Sequence, residues 1–276
     1  MAYLPLRSLS PRPQGALADA WLEHMDHALS SAAADYNLLC RQTLCELAYP
    51  EFAANWETAV LDSTLSSGTR LALAALDPRN VTLEPEYYGE CDDARFQRVK
   101  PLLWLWYSFD RLPLAGQNVD VGVRLRRLLA QRIFKRCGEN FKAFHNVEFS
   151  FGYNMEVGDN VVVHRHVLLD DRGGIVVGNG VSISDYANIY SHTHSIVEQR
   201  DVTNAVTTLS DGVRITYHAT VLAGVHVGEQ AMVGANAVAT KDVRPYHVNV
   251  GIPAKSVRVK PNAPVEGISV TTVKRP

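Results

Sequence analysis

The chain has 276 residues, of which 46% are hydrophobic and 20% are charged, and its formal net charge is -2. This composition supports a buried core in one large domain or two smaller ones, and the mixed charge argues against a nucleic-acid-binding surface. No apolar run is long enough to span a bilayer and the N-terminus lacks the apolar segment of a signal peptide, so we expect a cytoplasmic protein.

The first part of the chain, residues 1–140, is predicted to be an α-helical N-terminal region. Apolar residues recur at helical spacing within 15–47, which predicts a long amphipathic helix or a pair of helices. Residues 53–61, 96–107 and 121–137 have similar patterns. We identify no acceptor-binding motif in this region. Four cysteines lie in it without metal-binding or disulfide spacing, and we expect them to be reduced: Cys40, Cys45, Cys91 and Cys137.

Two segments of the helical region allow a functional interpretation beside a structural one. Residues 102–109 are the densest aromatic patch, and we favour core packing over an acceptor platform or a membrane contact. Residues 121–137 are basic on one face, which usually indicates a solvated surface with extended side chains rather than a lipid-binding one. The basic residues are Arg124, Arg126, Arg127, Arg132, Lys135 and Arg136.

The second part of the chain is organised by a six-residue repeat. From Val157 an apolar residue occupies every sixth position within each block, a period that neither a helix nor an alternating strand produces. A hexapeptide period is typical of a parallel β-helix, in which three six-residue sides form a coil of about eighteen residues. The repeated positions are Val157, Val163, Leu169, Val177, Ile183, Ile189, Leu209, Ile215, Val221, Val227, Val233 and Ala239.

The repeat has a lead-in, one long interruption and a distinct end. Residues 141–153 resemble a lead-in strand region whose aromatic side chains close the first coil. The interruption runs from 189 to 209 and carries His192 and His194. Pro245, Gly251 and Pro253 end the repeat. We therefore predict a β-helix domain over 141–262 and a C-terminal tail over 263–276.

The repeats resemble those of the left-handed β-helix acyltransferases, the hexapeptide-repeat family that includes maltose, galactoside and serine acetyltransferases. The resemblance covers about 157–260 and rests on the repeat units, the histidine-bearing interruption and the segment 251–255 with its sequence Gly-Ile-Pro-Ala-Lys. It implies a mainly β fold, a left-handed parallel β-helix, and transfer of an acyl group from acetyl-CoA to a hydroxyl, most directly of a sugar or polysaccharide precursor.

The resemblance also assigns roles to residues on the acceptor side. Aligned with the family pattern, His194 is the general base that takes the proton of the acceptor hydroxyl, and the hydroxyl attacks the thioester directly. Histidine suits this role because its pKa lies close to neutral pH. Asp185 or Asn188 could orient its ring. Substrate-binding positions fall on His164, His166, Asp171 and His192.

The same alignment predicts coenzyme contacts in the last coils. Small residues allow close approach of the pantetheine arm, and basic side chains suit the phosphates. The positions are Ala223, Gly224, Ala235, Thr240, Lys241, Lys255 and Arg258. The family resemblance further implies a homotrimer with active sites between neighbouring chains, and no metal ion.

Two other interpretations remain open at this stage. One is a zinc enzyme similar to the gamma-class carbonic anhydrases, which use histidines on the same coil, although their pair of histidines five residues apart is missing here. The other is a catalytically silent β-helix that serves as a scaffold. The acceptor, the acyl chain length and the choice between O- and N-acylation are not fixed by the sequence.

Overall fold

The structure is a computed structural model that describes residues 12–13, 15–112, 117–198 and 200–264. The predicted tail lies outside these residues from 265 onward. Six α-helices precede a parallel solenoid of short strands. None of the described helices combines the length and the apolar character that crossing a bilayer requires.

In the helical region, residues 15–47 form a pair of helices, which is one of the two alternatives that the sequence allowed, and Asp35 precedes the second helix. Its side chain accepts hydrogen bonds from the backbone N–H groups of Asn37 and Leu38, which starts the second helix. Three short 3-10 turns connect the later helices. The helices are α1 (Gly15–Ser30), α2 (Tyr36–Ala48), α3 (Trp56–Leu61), α4 (Ser67–Ala74), α5 (Asp93–Arg111) and α6 (Val119–Ile133).

The solenoid has three flat faces, which we number in the order in which the chain meets them. The first face contains β1 (Arg136–Cys137), β4 (Met155–Val157), β7 (Ile175–Val177), β12 (Thr207–Leu209) and β15 (His226–Val227). The second contains β2 (Lys142–Ala143), β5 (Val162–Val163), β8 (Ser182–Ile183), β13 (Arg214–Ile215), β16 (Met232–Val233), β18 (His247–Val250) and β19 (Lys255–Val259). The third contains β3 (Glu148–Phe149), β6 (Leu168–Asp170), β9 (Asn188–Tyr190), β14 (Thr220–Val221) and β17 (Val238–Ala239).

The six-residue period predicts the core correctly. All twelve repeated apolar positions point into the coil and are exposed by 1% or less. Burying each such side chain is worth about 1.5–3 kcal/mol relative to leaving it in water, so the stack is the main source of solenoid stability. This confirms the β-helix fold inferred from the pattern.

The coil begins earlier than the sequence indicated. Helix α6 ends at Ile133 and Arg136–Cys137 form β1, so the helix predicted over 121–137 is too long at its C-terminal end. Residues 141–153, which the sequence suggested as a lead-in, contain β2 and β3 and belong to the first coil. Their hexapeptide pattern is hidden because aromatic residues replace the aliphatic ones, as at Phe149.

The aromatic patch of α5 packs against this first coil, as expected. The Trp106 indole N–H donates to the Val147 carbonyl at 3.0 Å, and its ring meets Phe149 edge-on at 5.2 Å. The Tyr107 hydroxyl bonds both backbone groups of Phe149, accepting from N–H at 3.1 Å and donating to C=O at 3.2 Å. The helices therefore cap the open end of the coil and satisfy its backbone.

The basic face of α6 differs from the predicted solvated surface. Arg126 is buried against Asp110, with 1% and 2% of the two side chains exposed. Arg127 donates to the Phe141 carbonyl at 2.7 Å. Arg132 reaches Asp26 of α1 at 3.0 Å. These arginines bind neighbouring elements of the chain because their long side chains span the gaps between α1, α6 and the first coil.

Candidate active site

The irregularities of the solenoid collect at one corner, the turn that leads from the third face back to the first. We call it corner III; it comprises residues 150–154, 170–174, 191–206, 222–225 and 240–242. The first two coils are longer than the fourth because they carry extra residues at this corner. The third coil inserts an antiparallel hairpin, formed by β10 (His192–His194) and β11 (Val202–Asn204).

The base of the hairpin is held by two hydrogen bonds from backbone N–H groups to Ser191. The Ser191 hydroxyl accepts a hydrogen bond from Gly173 N–H at 2.8 Å, and its carbonyl accepts from Ala205 N–H at 2.9 Å. Gly173 has no space for a side chain, because a Cβ there would lie 2.3 Å from the Ser191 carbonyl oxygen. The interruption seen in the sequence is thus a structured element that starts beside the third face.

A cleft of about 430 Å³ lies between the third face and the helical region. Its floor is the outward side of the first three coils, and its cover comes from α5 and the 3-10 turn Glu84–Tyr87 with its flanks. The lining residues are Leu83, Glu84, Pro85, Tyr88, Tyr107, Arg111, Glu148, Phe149, Ser150, Leu168, Asp170, Arg172, Tyr190 and His192.

The cleft holds a histidine whose orientation is fixed by a buried carboxylate. Nδ1 of His192 contacts Oδ2 of Asp170, and 18% of the His192 side chain and 3% of the Asp170 side chain are exposed. The other oxygen of Asp170 accepts from the Ser150 hydroxyl at 2.5 Å. An imidazole held at Nδ1 in this way presents Nε2 as its free proton-accepting nitrogen, the arrangement of a general base with an orienting acid.

His194, the base that the family alignment predicts, lies two residues further along the same strand. Its side chain is exposed and its ring meets the His192 ring edge-on, with 5.3 Å between centroids. It is not among the residues that line the cleft. His192, predicted as a substrate contact, does line it.

Asp171, predicted to bind the acceptor, is fully buried at 0% exposure and does not line the cleft. Its carboxylate accepts from the backbone N–H groups of Phe151 at 2.7 Å and Asn154 at 3.0 Å. Burial raises the pKa of Asp171 to about 6 against these hydrogen bonds. These hydrogen bonds link Asp171 to the coil below, and the preceding residue, Asp170, is the acid that lines the cleft.

The predicted substrate residues His164 and His166 lie on another corner, the turn from the second face to the third, which we call corner II. His164 stacks on Phe144 with 5.1 Å between ring centroids. His166 stacks on Tyr186 at 4.8 Å. Neither lines the cleft of its own chain. Asp185, considered as a partner for His194, instead binds Arg165 at 2.9 Å.

The predicted coenzyme residues divide between the two corners and the last strands. Strand register pairs Asn188 with Thr220 and Thr220 with Val238, so Tyr190, Leu222 and Thr240 follow one another up corner III. Ala223, Gly224, Thr240 and Lys241 therefore stack above the base of the hairpin. Ala235 is on corner II, and Lys255 and Arg258 are exposed on β19.

Several cleft residues were not foreseen from the sequence. Tyr88, Arg111 and Glu148 lie outside the recognised repeat, and only tertiary packing brings them together. Asp170 could have been found, because it precedes Ser191 and His192 by about one coil and therefore stacks beneath the hairpin. Within the described ranges, no group of three or more His, Cys, Asp or Glu side chains is arranged to hold a metal ion.

Comparison with known proteins relates the chain to acetyltransferases. No protein-family model matches it. Over 140 residues it is 26% identical to the galactoside O-acetyltransferase of Escherichia coli, covering 49% of this chain and 69% of that one. A maltose O-acetyltransferase structure from Clostridium difficile superimposes with a TM-score of 0.55 at 22% identity, over 63% of this chain and 91% of that one.

A third relative carries a ligand. The hexapeptide-repeat acetyltransferase of Vibrio cholerae, solved in complex with acetyl coenzyme A, has a TM-score of 0.54 and 22% identity, over 66% of this chain and 98% of that one. The fold is therefore the left-handed parallel β-helix. With the sequence relatives, this confirms the predicted resemblance: the chain is similar in sequence to galactoside O-acetyltransferase and in fold to the maltose and galactoside acetyltransferases.

Proposed function

We propose that the protein transfers an acetyl group from acetyl-CoA to a hydroxyl of a sugar or polysaccharide precursor, with His192 as the general base. The observation that carries the proposal is the contact between His192 and the buried Asp170 inside a cleft, at the corner where the coenzyme positions stack. The galactoside and maltose relatives support a sugar acceptor, and the relatives solved with coenzyme A or acetyl coenzyme A support the donor.

The reaction needs one proton transfer in each direction. His192 Nε2 removes the proton from the acceptor hydroxyl as its oxygen attacks the thioester carbonyl carbon. The new C–O bond forms and a tetrahedral oxyanion results, which backbone N–H groups stabilise. The oxyanion collapses, the C–S bond breaks, and the imidazolium returns the proton to the thiolate, which leaves as free coenzyme A. No covalent enzyme intermediate is required.

The choice of His192 over His194 rests on position, because His192 lines the cleft and His194 does not. A general base gains from a partner that fixes its ring and stabilises the imidazolium, and buried Asp170 can do both for His192. His194, the family's position, is exposed on the hairpin. In this proposal His194 assists from its place beside the His192 ring, and its loss costs less than the loss of His192.

The coenzyme would run along corner III. Ala223 and Gly224 leave room for the pantetheine arm, and Lys241 follows on the next coil. Ala235, His164 and His166 are on corner II of the same chain. A homotrimer in which corner II of one copy faces corner III of the next would unite the two sets. The proposal therefore includes a homotrimer, and it places the enzyme in the cytoplasm.

The proposal is tested by thiol release from acetyl-CoA with a panel of sugars, nucleotide sugars and amines. We expect acceptor-dependent release by the wild type. Asp170→Asn should lower kcat by roughly tenfold to a thousandfold, because the ring loses its charged partner. The control is Asp211→Asn, an exposed acid at another corner. Absence of acceptor-dependent release with every class would refute the proposal, and equal activity of the two variants would refute the role of Asp170.

A further inference from the structure

We propose that the cleft binds an acceptor sugar that carries a negatively charged group, and that Arg111 and Glu148 select it. The inference rests on the proposed function and specifies its acceptor. It also gives the helical region a role, because six of the fourteen residues that line the cleft belong to that region.

The walls of the cleft offer rigid aromatic surface. Tyr107 is fixed by its two hydrogen bonds to the backbone of Phe149. Tyr88 is held against the Arg172 guanidinium, which lies 4.1 Å from the ring centroid. Tyr190 completes the wall next to His192. Fixed rings bury the apolar C–H faces of a sugar without losing side-chain entropy on binding.

Most polar side chains of the cleft already have partners within the protein. Asp170 is bound by His192 and Ser150. Arg172 donates to Glu90 through Nε at 2.6 Å. These groups hold the shape of the cleft and have little capacity left for a charged ligand.

Arg111 and Glu148 are different. Both are exposed and both line the cleft. Among the described residues, neither side chain has an ion-pair partner within 4.0 Å. A free guanidinium binds phosphate or carboxylate oxygens through paired N–H donors, and a free carboxylate accepts hydrogen bonds from sugar hydroxyls.

The size of the cleft fits this ligand class. Its volume of about 430 Å³ lies in the range of small-molecule sites, about 300–1,000 Å³, and suits one charged sugar unit. With the anionic group on Arg111 and hydroxyls on Glu148, the ring would lie over the tyrosines and another hydroxyl would face His192. The acceptor is therefore a sugar phosphate or a uronic acid in its chemistry.

Arg111 also has a purely structural interpretation. It is in the last turn of α5, where a cation interacts favourably with the helix dipole. That role predicts a small loss of stability on substitution and no preference among sugars. The test must therefore compare ligands as well as variants.

The experiment measures direct binding by calorimetry, without acetyl-CoA, for glucose, glucose 6-phosphate and glucuronate. We expect the two anionic sugars to bind more tightly than glucose. Arg111→Ala should weaken their binding by roughly tenfold to a hundredfold and leave glucose unchanged. The control is Arg98→Ala, an exposed arginine of the same helix that lies outside the cleft. Glu148→Gln should weaken all three sugars.

The outcomes separate this inference from the proposed function. Three results overturn the anionic acceptor, even if thiol release with a neutral sugar continues. They are equal binding of neutral and anionic sugars, no binding of any sugar, and equal binding by the Arg111 and Arg98 variants. Arg111-dependent binding without thiol release supports the anionic ligand and refutes the transferase. A preference for the phosphate or for the carboxylate identifies which anion the arginine accepts.

Discussion

The buried pair between Arg126 of α6 and Asp110 of α5 joins two helices and binds the first coil through Ala143 and Asn146, and its removal gives a sharp test of the fold. Three guanidinium nitrogens of Arg126 are engaged: Nε and Nη2 bind Asp110, and Nη1 donates to the Ala143 carbonyl at 3.2 Å. Asp110 in turn accepts from Asn146 N–H at 2.7 Å. Burial raises the pKa of Asp110 and lowers the pKa of Arg126. Each charge therefore depends on the other.

Arg126→Met removes the cation and leaves a carboxylate with one backbone donor. Breaking a buried pair in this way costs about 3–5 kcal/mol. For a chain of this size that corresponds to a fall in melting temperature of roughly 6–20 °C. The loss should shrink at pH 5, because Asp110 without its partner has a pKa raised further by burial and becomes protonated as the pH falls.

Thermal melts followed by circular dichroism measure this effect. The matched control is Arg124→Met on the same helix, whose partner Asp19 leaves the pair half exposed, with 38% and 57% of the side chains accessible. An exposed pair of this kind contributes about 0–1 kcal/mol. If the melting temperatures of the two variants agree within about 3 °C, the buried pair does not anchor the helices.

Two further predictions concern corner III. The pKa of Asp171 is about 6 in the folded protein, against 3.8 for an unperturbed Asp side chain. Asp171 therefore stabilises the protein most below pH 4, and this contribution is lost as the pH rises through 6. In urea unfolding, the free energy of unfolding of Asp171→Asn relative to the wild type should rise by up to about 3 kcal/mol between pH 4 and 7. A difference in this free energy that does not change with pH would contradict the raised pKa. Gly173→Ala would place a Cβ 2.3 Å from the Ser191 carbonyl oxygen. It should destabilise the chain by about 1–3 kcal/mol and lower thiol release, whereas Gly89→Ala, with no atom within 4 Å, should do neither.

The sequence was sufficient for the solenoid because its core follows a strict local period. Val221 and its equivalents are buried wherever the coil continues, whatever the rest of the chain does. The first coil escaped detection since Phe149 and its neighbours pack against α5 instead of following the aliphatic repeat. The start of the first coil depends on tertiary contacts, and such contacts leave no periodic pattern in the sequence.

The site was only partly predictable for a related reason. The hairpin with His192 and His194 was evident as the interruption of the repeat. The direction in which the hairpin leaves corner III determines which histidine contacts a buried acid. In the structure His192 contacts Asp170, one coil below. Tyr88 and Arg111 are far from the hairpin in sequence and reach the cleft only because the helices cap the first coil.

The most direct test of the account compares kcat/KM for acceptor-dependent thiol release in His192→Ala and His194→Ala, with His24→Ala, an exposed histidine of α1, as the control. We predict a loss of roughly a hundredfold to ten-thousandfold for His192→Ala, a smaller loss for His194→Ala and none for the control. A larger loss for His194→Ala than for His192→Ala would contradict the assignment of the base and return it to the position that the family resemblance predicts.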